Sequence, residues 1–201
     1  MSALIKQGDS MALNLITKAE YKTYAGIKST NFDTDIDNLI PRVSQLVKTY
    51  CRKTFVDHMD VGSEKVDIFA GDTDKLILKE SPVVNVLSVL TSDDYGQTYT
   101  DLTKYVDWVD EGDYILPLNP QTFFNKKIKG YKVVYQAGYE DVPPDVALAV
   151  MDLVTYYRKN DASVHSTKAP GTSAVQIEYI STTSLPAHIK RVLDLYVSDY
   201  T

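Results

Sequence analysis

The densest group of potential metal ligands in the chain is Asp33, Asp35 and Asp37, followed by Asn38. Carboxylates at alternate positions open a calcium loop of the EF-hand kind, which also requires Gly at its sixth place and a bidentate Glu at its twelfth. Those places hold Asn38 and Ser44, so the run reads instead as negative charge gathered at a helix N-terminus, where the helix dipole favours it. Gly71-Asp72-Thr73-Asp74 is turn chemistry on the same reasoning. The histidines are His58, His165 and His188, and none has a second His or Cys at ligand spacing, so zinc has no support. Cys51 borders the apolar stripe of a helix and reads as a small packed hydrophobe, not a nucleophile. Neither glycine-rich nucleotide fingerprint occurs, nor does the Gly-x-Ser-x-Gly of a serine hydrolase. We therefore expect no catalytic residues, no metal and no cofactor. The enzymatic alternative is a small-molecule-binding or hydrolytic domain whose scattered carboxylates meet only on folding.

Composition narrows the class further. The 201 residues suffice for a real core, and a hydrophobic share of 44% with 24% charged residues is ordinary for a globular chain. No apolar run reaches the roughly 18 residues of a membrane helix, because Lys48, Lys79 and Arg158 punctuate the best candidates. The start of the chain lacks the pattern of a signal peptide. A single cysteine leaves no internal disulfide framework and suits a reducing cytosol. The net charge of −6 argues against gripping nucleic acid, which needs a positive surface. The basic clusters Arg52–Lys53 and Lys126–Lys127–Lys129 read as solvated loops or strand ends. Fifteen tyrosines, each a large apolar body with a polar tip, suit interfaces as well as cores.

Such a chain must position its surfaces through its elements. Residues 1–10 are polar and unpatterned, a flexible leader, and Met11 opens what reads like a second natural beginning. Thr17 and Glu20 have the spacing of a capping box, starting a short helix that stops at Gly26. Over residues 33–53, Ile36, Leu39, Ile40, Val43, Leu46, Val47 and Tyr50 form one helical stripe. Pro41 implies a kink, or a start nearer Asp37. From residue 64 to 135 the period changes to short strands separated by turn signals, an antiparallel meander or small barrel. Pro143-Pro144-Asp145 then opens a helix, residues 146–159, that is apolar nearly all round. Residues 161–184 read as an extended loop holding an alternating piece at Val175, Ile177 and Tyr179. Residues 185–201 close the chain as an amphipathic helix capped by Ser184. The fold class expected is α+β: a mostly helical domain over residues 11–160, about four helices, with the β region inserted at 64–135 and a C-terminal helical arm.

Several phrases share an order and spacing. They are Tyr21-Lys22-Thr23-Tyr24-Ala25-Gly26-Ile27, then Asp35 to Ser44, Tyr50-Cys51-Arg52-Lys53-Thr54-Phe55 and Ser81-Pro82-Val83-Val84-Asn85-Val86. After them come Val133-Val134-Tyr135-Gln136-Ala137-Gly138-Tyr139 with Val142-Pro143-Pro144-Asp145, then Ile177-Glu178-Tyr179 and Leu185-Pro186. In that order they resemble the head–tail connector (adaptor) family of tailed bacteriophages, over nearly everything after residue 11. The resemblance implies a non-enzymatic virion protein of the neck, made in the bacterial host cytoplasm. Its expected partners are itself in a ring, commonly a dodecamer, the portal protein, a stopper or tail-completion protein, and phage DNA passing through the lumen unread. No membrane partner is implied. The nearest competing reading is another neck or tail-completion protein.

A closed ring needs two different complementary surfaces on each subunit. The all-round apolar helix offers Leu148, Met151 and Tyr156 to a neighbouring subunit. The C-terminal stripe of Leu185, Ile189, Val192, Leu193, Tyr196 and Val197 offers a docking surface for the portal or the next neck ring. The alternative for that stripe is that its helix folds back over the chain's own sheet.

Overall fold

A computed structural model describes residues 13–118, 124–160, 166–168, 175–177 and 185–198. The chain divides into two compact units: a helical one from residues 14–51 and 142–197, and a β unit from 1–13, 52–141 and 198–201. The β unit is thus inserted between the two halves of the helical one.

In the helical unit, α1 (Lys18–Tyr24) begins with the expected capping box: the Glu20 amide donates to the Thr17 hydroxyl at 3.2 Å and the Thr17 amide to the Glu20 carboxylate at 2.6 Å. Both are amides that the first turn leaves without helical partners. Its end is closed by Gly26 at φ +64°, with the Ile27 amide reaching the Lys22 carbonyl at 2.9 Å and the Gly26 amide the Thr23 carbonyl at 3.3 Å. This double bond pattern needs a left-handed residue at Gly26, which glycine adopts without steric cost. Helix α2 (Asp33–Cys51) starts at Asp33 and runs through Pro41. Proline cannot donate to the Asp37 carbonyl, so the helix gives up one bond there and continues. Its buried face is Ile36, Ile40, Val43, Ser44, Val47, Lys48 and Cys51, a face turned slightly from the expected stripe, since Leu39 and Leu46 lie at its exposed border. The buried Ser44 hydroxyl accepts the Leu15 amide at 3.0 Å.

Helix α3 (Pro144–Asn160) buries Val146, Ala149, Val150, Leu153 and Val154 and leaves Leu148 half exposed. Its apolar circumference therefore serves the core on one broad side only. Helix α4 (Ala187–Leu193) has Pro186, not the expected Ser184, at its N-cap and passes into a 3₁₀ turn, Asp194–Tyr196. Proline supplies no amide and a pre-set φ, so it can open a helix without a side-chain cap. Ser184 itself lies outside the described residues, as does the leader 1–10.

Among its described residues the β unit holds seven strands in two antiparallel sheets: β1 (Lys65–Phe69), β2 (Leu76–Ile77), β3 (Val83–Thr91), β4 (Thr100–Leu102), β5 (Trp108–Glu111), β6 (Tyr114–Pro117) and β7 (Tyr131–Ala137). One sheet has the order β1-β7-β3-β4 and the other β2-β6-β5. The pairing is antiparallel throughout, as expected, but the order is not a simple meander, because β7 inserts between β1 and β3. Strand β7 alternates strictly, with Tyr131, Val133, Tyr135 and Ala137 buried. Those side chains join Leu76, Val89, Trp108, Ile115 and Phe124 in one core shared by both sheets. Each large apolar group so buried contributes about 1.5–3 kcal/mol before ordering costs. Two further strands, β8 (Ser166–Lys168) and β9 (Val175–Ile177), pair antiparallel within the segment read as an extended loop. Among the described residues no helix is long and apolar enough to cross a membrane.

Candidate assembly surfaces

The groups with possible chemistry are absorbed by structure. Asp33 accepts from Lys22 at 2.6 Å and Asp37 from Lys18 at 2.8 Å, so the aspartate run is tied to lysines of α1. Cys51 is fully buried, its thiol 3.7 Å from the Leu193 carbonyl. The His58 ring meets the Ser63 carbonyl through Nδ1 at 2.7 Å. His188 stands exposed on α4, and His165 falls outside the described residues. Among the described residues no cluster of three His, Cys, Asp or Glu could hold a metal. Two of the basic cluster are countered locally, Lys126 by Asp72 at 3.3 Å and Lys127 by Asp93 at 2.7 Å. That leaves little of the positive field nucleic acid would need.

A buried polar network in the β unit is structural too. The Tyr135 hydroxyl donates to Asp67 at 2.7 Å and accepts the Glu80 amide at 3.0 Å; Asp67 also accepts the Lys79 amide at 2.9 Å. Glu80 accepts the Thr54 amide at 2.8 Å. Burial pushes the Tyr135 hydroxyl far above the usual phenol range, with the hydrogen bond to Asp67 adding to it, and raises the Glu80 carboxyl. Between β3 and β4, Asp94 receives the Thr98 hydroxyl and amide, the Ser92 hydroxyl and the Gln97 amide. These bonds, Thr98 first, hold its carboxyl down at about 2 and stiffen a loop that presents Tyr95 to solvent.

Several apolar side chains also stay exposed. Leu148 is 49% exposed, while Met151 and Tyr156 are half-buried beside it on α3; the Tyr156 ring meets Tyr157 edge-on, with centroids 5.4 Å apart. The C-terminal stripe divides. Ile189 and Leu193 are buried within their own unit, whereas Leu185, Val192, Tyr196 and Val197 are only partly covered. The segment is pinned by the Tyr196 hydroxyl donating to Asp145 at 2.8 Å and by the Tyr50 hydroxyl donating to Asp194, which also pairs within the segment with Lys190 at 3.0 Å. The segment packs on α3 and α2 of its own unit, with Ile189 and Leu193 buried there. Leu195, absent from the expected stripe, is 79% exposed at the 3₁₀ turn.

Two more apolar surfaces are left open by the fold. Leu39, Arg42, Val43, Leu46 and Tyr157 line an open hollow of about 400 Å³ on the helical unit. On the β unit, the outer face of the four-stranded sheet shows Val66 and Ile68 of edge strand β1, 49% and 46% exposed.

Comparison with known proteins follows the same outline. The family model described as "Head completion protein" matches residues 14–198. The head completion protein of Escherichia phage T5 is 24% identical over 187 residues, covering 92% of this chain and 98% of its own length. A chain in the neck of an empty GTA particle, computed with C6 symmetry, superposes with a TM-score of 0.61 at 15% identity, covering 100% of this chain and 95% of its own. A chain in the neck of the native GTA particle, computed with C12 symmetry, gives 0.56 at 14% identity, covering 100% and 94%. At such identity the likeness is one of fold.

Proposed function

The chain belongs to the head completion protein family, and from that premise we propose that it is a structural, non-enzymatic subunit of a phage neck that joins head to tail as one member of a ring. The observation that carries this reading is the family match over residues 14–198, which spans both units and so concerns the whole architecture. The fold neighbours come from necks reconstructed with C6 and C12 symmetry, which favours several copies around one axis. Under this reading the portal lies on one side of the ring and a stopper or tail-completion protein on the other. DNA passes through the lumen without being held, and a net charge of −6 suits that passage because like charges do not adhere. Leu148, Met151 and Tyr156 serve contact between subunits. Docking to the portal falls to the outward members of the C-terminal segment, Leu185, Val192, Tyr196 and Val197, joined by the exposed Leu195. Ile189 and Leu193 support that surface from beneath.

The test is reconstitution with portal. Purified chain mixed with the purified portal ring of its own phage should give a complex whose mass, by light scattering, exceeds the portal's by six or twelve subunits. No added mass at any ratio would refute the reading.

A further inference from the structure

Antiparallel sheets that face water on one side place polar residues there. The outer face of β1 departs from that rule. Val66 and Ile68 both point outward on a strand at the edge of its sheet, and Val66 pairs with Val134 of β7, itself outward and half-buried. The same face continues to Leu90 on β3, half-buried and paired with Lys132. Lys132 stands between Ile68 and Leu90 on this face with its ammonium group over the Tyr99 ring, 5.0 Å from its centroid, and Val66 and Ile68 remain about half exposed. Exposed apolar edges are liabilities for a protein that stays alone, since they template association.

Charge selects what covers this corner. The β unit carries eleven Lys and Arg against eighteen Asp and Glu, the helical unit ten against nine. Two acidic β units brought face to face repel, which disfavours a two-fold pairing of this corner with itself. A nearly neutral helical unit meets no such opposition. It also has an unfilled apolar surface, the hollow of Leu39, Val43, Leu46 and Tyr157, with Arg42 on its rim and Glu64 at the head of β1 as an opposite charge. A ring is closed by this kind of unlike pairing, one surface against a different one.

We infer that the β1 corner of one subunit seats on the α2–α3 hollow of the next copy, forming the head-to-tail contact of the ring. The inference rests on the ring proposed above and names the surfaces that close it. Val66→Glu disables one surface and Leu46→Glu the other, both at exposed positions. Assembly is read by analytical ultracentrifugation in solution and on purified portal rings. Each variant should retain the wild-type melting curve and remain monomeric where wild type assembles. An equimolar mixture of the two should form at least a dimer where neither variant associates alone, because one intact pair of β1 corner and hollow exists between them. If either variant unfolds, Val66→Thr and Leu46→Gln replace them, with at least a tenfold weaker association expected. Should the variants assemble like wild type, or the folded pair fail to form a dimer, this contact is wrong while the ring stands. Should wild type associate neither in solution nor on portal, the ring itself falls and this contact with it.

Discussion

Glu80 is buried beside the Tyr135–Asp67 pair, and desolvation raises its carboxyl above the ordinary value, against the opposing Thr54 amide. A carboxyl raised in the folded state takes up its proton more readily than in the unfolded chain. Its contribution to stability is complete below the unfolded pKa and is lost as the pH rises through the folded one. Glu80→Gln keeps an acceptor for Thr54 and removes the charge. The variant should melt with the parent near pH 4, roughly the unfolded carboxyl value, and above it at neutral pH, as followed by circular dichroism across that range. At the C-terminus, neighbouring leucines have opposite duties. Leu193→Ala should cost about 2–5 kcal/mol, the range for a large buried side chain, measured by urea unfolding. Leu195→Glu should change stability by less than about 0.5 kcal/mol, as exposed substitutions do, yet abolish portal binding in a pull-down. Equal binding by Leu195→Glu and wild type would remove the docking role from this turn.

At the scale of elements, α3 separates core from surface by residue position alone. Leu153 is fully buried and Leu148 half exposed on the same helix. A carboxylate at Leu153 would be buried without a partner, at a cost of several kcal/mol, and should leave no folded protein to assay. Leu148→Glu should fold and melt normally but reduce ring formation, read as mass on a sizing column with light scattering. If Leu148→Glu assembles fully, this face of α3 lies away from the neighbour. The capping box at Thr17 and the stop at Gly26 were legible because both are local, made by residues within a few positions of one another. The passage of α2 through Pro41 was left open, since one missing hydrogen bond does not decide whether the rest of a helix survives. Nor could the length of α4 be read, because the 3₁₀ turn at Asp194–Tyr196 keeps the same apolar residues at a different winding.

The whole molecule is a helical unit interrupted by a β unit, and its acidity is unevenly shared between them. As a neck component it should be dispensable for capsid assembly and needed for joining. A phage lacking it should accumulate capsids and free tails separately in electron micrographs, and added purified chain should restore infectious particles. Tailed particles formed at normal yield without it would contradict that role.

Local patterns alone are enough to read the helices and strands up to residue 160, the insertion of a strand region between helical segments, and the lack of any catalytic or nucleotide motif. Each of these rests on short-range pattern: a period of two or near four, a turn residue, a ligand spacing. The ordered phrases of the sequence also carried the connector resemblance. Tertiary structure alone decided that β7 lies between β1 and β3, that Ile189 and Leu193 are taken by their own unit, and that Leu195 is bare. It alone exposed Val66 and Ile68, whose valine and isoleucine look in sequence like any core strand. Periodicity says which residues share a face. Only long-range packing says whether that face is already covered, and a surface for assembly is an apolar face that the chain's own fold leaves uncovered.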